Sequence, residues 1–463
     1  MYILMVVVFI LGYLAIALEH PLKIDKAASA LLIGAITWSI LALAGESVLE
    51  NSVEYMEFLA ANPAEGHNDM VANHFITESL LHHLSEIASI LFFLLGAMTI
   101  VELIDAHEGF AIITDRINTA NKVKLMWILS VLTFFLSAAL DNLTTSIVMA
   151  ALLKKLVKGK EDLWLFAGMI ILAANAGGAW SPIGDVTTIM LWIGGQVTAA
   201  NIVLKLILPS LICLIVPLII LTFTMKGEVE RKLGMVDKAH LIDRTTPFEQ
   251  NLVFFLGVGS LLFVPIFKTV THLPPFMGIL FGLGVLWTVT EILHRSKNHT
   301  DRSKLSVIGV LQKVDTPSVL FFLGILAAVA SLQTAGHLRF LASFLESSIG
   351  DMYAINMVIG LLSSIVDNVP LVAGAMGMYD LLPVGAEAIA GQAYPVDHAF
   401  WEFLAYCAGT GGSCLIIGSA AGVAVMGILQ VDFIWYMKNI SWLAFVGYIA
   451  GAFTYILMDY ALF

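Results

Sequence analysis

The sequence predicts an all-α polytopic membrane protein made of two inverted repeats, each with a re-entrant hairpin and a broken helix. Composition is the first observation. Of 463 residues, 59% are hydrophobic and 13% charged, and the mean hydropathy is +0.91, far from soluble averages. The second is length: apolar stretches of about 18 residues or more, enough to span a hydrocarbon core about 30 Å thick, recur along nearly the whole chain. The third is repetition, since three short motifs return in the same order in the second half. No stretch remains for a soluble domain of useful size, which excludes soluble enzymes and nucleic-acid partners.

Spans are read at 2–18, 27–44, 85–104, 163–193, 205–225, 249–267, 275–293, 317–335, 399–428 and 433–462, with two unusual segments at 126–157 and 352–383. The first stretch has no basic residue before it and no small-residue cleavage pattern after it, so it reads as a retained helix. Cys213, Cys407 and Cys414 lie in apolar segments without metal or disulfide spacing and read as packing residues. Loop charge then orients the chain. Gly45 to Leu84 holds Glu46, Glu50, Glu54, Glu57, Glu65, Asp69 and Glu78 but no Lys or Arg, which places it outside the cytoplasm. If 126–157 and 352–383 each enter and leave on one side, every basic residue except Lys205, Lys268 and Arg339 becomes cytoplasmic. A single crossing at 126–157 would set Lys122 and Lys124 opposite Lys154 and Lys155. Charge therefore favours hairpins, the first opening to the cytoplasm and the second, flanked by Asp351, Asp380, Glu387 and Asp397, to the exterior. Both termini then lie outside the cytoplasm, and the linkers Asp105 to Leu125 and His294 to Thr316 read as interfacial helices.

The repeat rests on three pairs. Ser89-Ile-Leu-Phe-Phe-Leu-Leu-Gly96 resembles Ser318-Val-Leu-Phe-Phe-Leu-Gly324; Ser137-Ala-Ala-Leu-Asp-Asn142 resembles Ser363-Ser-Ile-Val-Asp-Asn368; and Gly177-Gly-Ala-Trp-Ser-Pro-Ile-Gly184 resembles Gly411-Gly-Ser-Cys-Leu-Ile-Ile-Gly418. Residues 1–225 form the first repeat, with hairpin 126–157 and broken helix 163–193. A cytoplasmic linker at 226–248 leads to the second, 249–463, with hairpin 352–383 and broken helix 399–428. In this topology each element of the second half runs opposite to its counterpart, a design common among secondary transporters.

Chemistry concentrates at the hairpin tips and the helix breaks. Asp141 falls at the tip of the first hairpin, near the bilayer midplane, where an ionisable group is costly and by default functional. Asn142, Thr144, Thr145 and Ser146 follow with oxygen ligands of the kind hard cations prefer. Asp367 and Asn368 repeat the pair, with Ser363 and Ser364 before it and Pro370 setting the new helix start. The plainer reading of each Asp is an N-cap. In Ala174-Asn-Ala-Gly-Gly-Ala-Trp-Ser-Pro-Ile-Gly-Asp-Val-Thr-Thr188, two glycines and a proline break the span and release carbonyls. Asn175, Asp185, Thr187 and Thr188 cluster there, although both threonines can simply bond back to their own helix. The other half offers Ser413, with Ser419 at the position of Asp185. His82, His83 and Glu86 at one end of a span, and Glu102 at the other, read either as solvated interfacial residues or as a pH sensor.

The paired Asp-Asn hairpins and the GGAWSPIGDVTT string resemble the NhaD sodium/proton antiporters, within the ion-transporter superfamily that includes arsenite permeases and divalent-anion/sodium symporters. The likeness covers essentially the full chain. In the symporters Ser-Asn-Thr tips hold sodium; Asp141-Asn142 and Asp367-Asn368 take those places here, and Asp for Ser favours proton-coupled cation exchange. The resemblance implies an elevator-type homodimer in a bacterial inner membrane, serving salt or alkali tolerance. It also implies Na+, H+ and Li+ as transported partners and no cofactor. Na+ is expected at Asp141, Asn142, Asp367 and Asn368, with Asp185 contributing. The nearest rival is an anion or arsenite permease, disfavoured by the central acids and by the expectation that neither half embeds a Lys or Arg. An intramembrane aspartyl protease using Asp141 and Asp185 would leave Asp367 unexplained, and a channel would leave two occluding hairpins unexplained.

Overall fold

Inside a bilayer a segment has no water to satisfy its backbone, so each span closes its own hydrogen bonds as a helix. A computed structural model of the chain describes all residues except 51, 63–68, 115–116, 118, 230–244, 296 and 463. The first half runs α1 (Tyr2–Ala17), α2 (Glu19–Leu22), α3 (Lys26–Ala44), α4 (Glu46–Leu49), α5 (Val53–Ala61), α6 (Asp69–Ala106), α7 (Ala111–Thr114), α8 (Lys122–Leu140), α9 (Asn142–Leu156), α10 (Lys160–Ala179), α11 (Val186–Ile193) and α12 (Ala199–Thr224). The second runs α13 (Pro247–Thr271), α14 (Pro275–Leu293), α15 (His299–Leu305), α16 (Val307–Leu311), α17 (Thr316–Thr334), α18 (His337–Ser348), α19 (Met352–Leu362), α20 (Asn368–Met378), α21 (Ala399–Gly411), α22 (Ala420–Leu429), α23 (Phe433–Asn439) and α24 (Ser441–Leu462). Among the described residues nine helices are long and apolar enough to cross a membrane, so the chain is an all-α polytopic membrane protein.

Several boundaries depart from the sequence reading. The span expected at 85–104 belongs to a helix of 38 residues starting at Asp69, because no Gly or Pro interrupts 69–95. The span expected at 433–462 is divided at Ile440 into α23 and α24, of which only α24 is long enough to cross, and just before it α22 turns through 117° into α23. Gln430 in the left-handed region (φ +52°) and the Asp432 cap on the Trp435 N–H at 2.8 Å make that corner. Between α6 and α8, and between α14 and α17, the described residues form only the short α7, α15 and α16. Two three-residue strands, β1 (Asp380–Leu382) and β2 (Ala393–Pro395), pair in parallel and were not expected. Most of the linker at 226–248 lies outside the described residues.

Within 126–157, α9 doubles back along α8. Lys122 Nζ meets Asp162 Oδ1 at 2.7 Å, the Ser137 hydroxyl donates to the Ala174 carbonyl at 2.6 Å, and the Ser181 hydroxyl to the Ala138 carbonyl at 2.6 Å. From Lys122–Asp162 to Ala138–Ser181 these contacts advance together, so α8 and α10 run parallel. α9 and the link at 157–159 therefore bring the chain back to the face it left. In the other half the Asn356 amide donates to the Phe400 carbonyl at 3.1 Å and the Ser363 hydroxyl to the Ala408 carbonyl at 2.9 Å, which makes α19 and α21 parallel too. Close backbone approach holds both pairs. A Cβ on Gly177 would strike the Phe134 carbonyl, and one on Gly411 the Gly360 carbonyl.

Candidate functional site

Four short helices begin where the hairpins meet the breaks. In the first hairpin Asp141 takes φ +97°, turning the chain between α8 and α9. Its carboxylate accepts from the Thr144 N–H at 2.7 Å and the Thr144 hydroxyl at 2.8 Å, satisfying first-turn donors of α9. Asp367 caps α20, accepting from the Val369 N–H at 3.2 Å. Asp185 caps α11 and Ser419 caps α22. Each helix offers the positive end of its dipole here, which favours carboxylates. The N-cap role is thus present at both tips, and the asparagine beside each Asp is what reaches the middle.

Asp185 occupies that middle and is 1% exposed. Its Oδ1 accepts from the Thr187 N–H at 2.9 Å, the Thr187 hydroxyl at 2.8 Å and the Asn368 amide at 3.4 Å. Its Oδ2 accepts from the Asn142 amide at 2.5 Å. The same Asn142 amide donates to Asn175 Oδ1 at 3.1 Å, and the Asn175 amide donates to Ser413 Oγ at 2.9 Å and Ser419 Oγ at 3.0 Å. One network therefore joins both hairpins and both broken helices. Among the described residues every hydrogen-bond partner of the Asp185 carboxylate is neutral. Removing a carboxylate from water is costly unless a proton or a cation accompanies it, so this group calls for one or the other.

The remaining expected residues divide. Thr145 is buried, and its hydroxyl and that of Ser146 have no hydrogen-bond partner, leaving oxygen lone pairs one turn from Asn142. Thr188 bonds back to the backbone of Asp185, its hydroxyl accepting from the N–H at 3.2 Å and donating to the carbonyl at 2.8 Å. Ser363 fastens α19 to α21 in the manner of Ser137. His82 and His83 each lie 3.6 Å from Glu86, and Glu102 is 3.5 Å from Lys313; these four do not enter the central network. A cavity of about 150 Å³ lined by Glu102, Asp105, Thr144, Lys313 and Asp315 approaches the first hairpin at the side chain that holds Asp141.

Lys26 was not anticipated. Its Nζ lies 3.6 Å from Asp367 Oδ2 and 4.5 Å from the centre of the Phe321 ring, five residues into α17, which corrects the expectation that no Lys or Arg is embedded. The only signal in the sequence was an ammonium on the first residue of an apolar span. A buried histidine pair was also missed: His107 Nε2 and His294 Nε2 are 2.7 Å apart, with Glu249 3.8 Å from His294.

The model of the citrate transporter family (CitMHS) matches residues 2–396. Sodium/proton antiporter 1 of Arabidopsis thaliana is 44% identical over 98% of this chain and 72% of its own length. Sodium/proton antiporter 2 of the same plant is 42% identical over 98% of both. The Na(+)/H(+) antiporter NhaD of Vibrio cholerae is 28% identical over 98% of this chain and 91% of its own. With a buried carboxylate network held by two hairpins and two broken helices, and with these relatives along its length, the chain belongs to the citrate transporter family of membrane transporters, in company with NhaD-type antiporters.

Proposed function

We propose that the chain is a secondary active antiporter exchanging Na+, and Li+ as a smaller congener, for H+. The observation that carries this reading is Asp185, a fully buried carboxylate whose described partners are all neutral amides and hydroxyls. A proton or a small cation can neutralise it, and burial lets the two alternate. Asn142, Asn175, Thr145 and Ser413 supply oxygens for the cation, with Asp141 on the cytoplasmic approach and Asp367 on the other flank. The names of the plant and bacterial relatives support sodium/proton exchange. The matching parallel pairs in the two halves support a structural repeat, which we take to be inverted, and an elevator-type homodimer in which hairpins and breaks move together against the remaining helices is part of the proposal. Because relatives come from a plant as well as from bacteria, a bacterial inner membrane with both termini outside the cytoplasm is part of the proposal, as is a role in salt tolerance.

Anion carriage is the second reading, favoured by the family's description and by four converging helix N-termini. Three of those termini are already capped by Asp141, Asp185 and Asp367, and Lys26 is engaged with Asp367, which leaves little positive potential for an anion. One experiment separates the two. In proteoliposomes with an acidic interior and a pH-reporting dye, NaCl and LiCl are expected to collapse the gradient while choline chloride does not. Collapse by citrate, with no response to NaCl between neutral and strongly alkaline pH, would overturn the antiport reading.

A further inference from the structure

We propose that Lys26 is a built-in counter-cation for the second hairpin, its ammonium holding the place beside Asp367 that a transported cation takes in turn. This inference rests on the exchange reading above. Lys26 is the first residue of α3, started by the Asp25 side chain, which accepts from the Ala27 N–H at 2.8 Å. A lysine at a helix end in a membrane ordinarily extends toward water. This one lies along the Phe321 ring and against Asp367, with 22% of its side chain exposed and 13% of its partner's. An ionised carboxylate at such a position is tolerable when paired and costly when left alone.

Asp367 uses Oδ1 to cap the Val369 N–H, which leaves Oδ2 to the ammonium. Two other ionisable groups face it. The Tyr13 phenol on α1 lies against Asp367, with its oxygen toward the Asp367 backbone; Asp185 feels Asp367 from the break before α11. Oδ2 is thus a hard ligand at a position now served by an ammonium. A small cation satisfies the same oxygen, and both cations cannot have Oδ2 at once.

The pair also crosses a mechanical boundary. Lys26 rides on α3, which is fastened to α17 where Gly34 meets the Gly324 carbonyl and where the Trp38 indole donates to the Ala327 carbonyl at 2.8 Å. Asp367 rides on the hairpin fastened to α21. Cation arrival releases the hairpin from α3, and cation departure re-forms the tie. Lys26 thereby weakens cation affinity, speeds release and keeps an emptied hairpin docked.

Equilibrium binding of radioactive sodium to the purified full-length chain at a fixed alkaline pH tests this. Absence of binding by the wild type would sink the exchange reading itself. Given wild-type binding, Lys26→Met should tighten Kd about tenfold by removing the competitor, Lys26→Arg should stay near wild type, and Lys26→Met should change nothing in an Asp367→Asn background. An unchanged or weaker Kd in folded Lys26→Met overturns the role of Lys26 alone. Should that variant not fold, reductive methylation of Lys26 in the wild type, read by mass spectrometry, decides. Labelling that rises with NaCl over equal choline chloride is expected, and equal labelling in both salts overturns the proposal.

Discussion

Asp141, Asp185 and Asp367 are chemically identical, yet packing gives them three tasks. Asp141 turns the chain at positive φ and holds Thr144, Asp367 faces Lys26, and Asp185 gathers Asn142, Thr187 and Asn368. Asp185→Asn keeps the shape of the side chain and removes its charge, so it should abolish sodium-driven proton movement while leaving membrane expression unchanged. Asn175→Ala removes the link to Ser413 and Ser419 and should weaken apparent sodium affinity by about tenfold, the loss of a buried hydrogen-bonding group, read as a rise in KM. Retained wild-type KM in Asn175→Ala would show that the network does not reach across the halves. The sequence displayed all of these residues but not their orientation. A cap is a local bond that any Asp at a helix start can make, whereas the meeting of Asn142, Asn368 and Asp185 depends on elements more than 180 residues apart. Lys26 was hidden for the same reason.

At the scale of elements, the breaks are kept open by glycine. A Cβ on Gly178 would collide with the Gly184 carbonyl, and one on Gly412 would come within 2.7 Å of the Gly418 carbonyl; these equivalent contacts fold each break back on its own helix. Gly178→Ala and Gly412→Ala should each cost about 1–3 kcal/mol through overpacking, lowering the Tm in detergent. Gly427→Ala, on α22 with nothing within 4 Å of the added atom, should leave Tm nearly unchanged. Equal effects at all three sites would refute the packing argument. These breaks were legible because Gly-Gly and Pro inside an apolar run have few other uses. The corner between α22 and α23 was less so, since its left-handed residue is Gln430, a residue type that carries no turn signal.

Across the whole molecule, hydropathy marked most crossings, and the ion pair of Lys122 with Asp162 ties the start of the first hairpin to the start of α10. Where the C-terminal ends of α6 and α14 meet, beyond the spans, burial holds His294 down at about 4, with His107 and Lys297 adding to it, and burial also lowers His107. A histidine kept neutral in the folded protein binds protons more readily when unfolded, so its contribution is complete above about pH 6.5 and is lost as pH falls toward 4. The Tm should accordingly drop between pH 7 and 5, and His294→Gln should make that drop shallower; identical slopes would contradict it. The central claim concerns the molecule as a carrier: Na+ and H+ compete for Asp185. It is tested most directly by sodium binding to the purified protein as a function of pH. The account predicts that wild-type affinity falls by up to about tenfold for each unit of acidification once Asp185 is protonated, and that Asp185→Asn loses this competition. Sodium affinity independent of pH in the wild type, or the same pH dependence in Asp185→Asn, would contradict it.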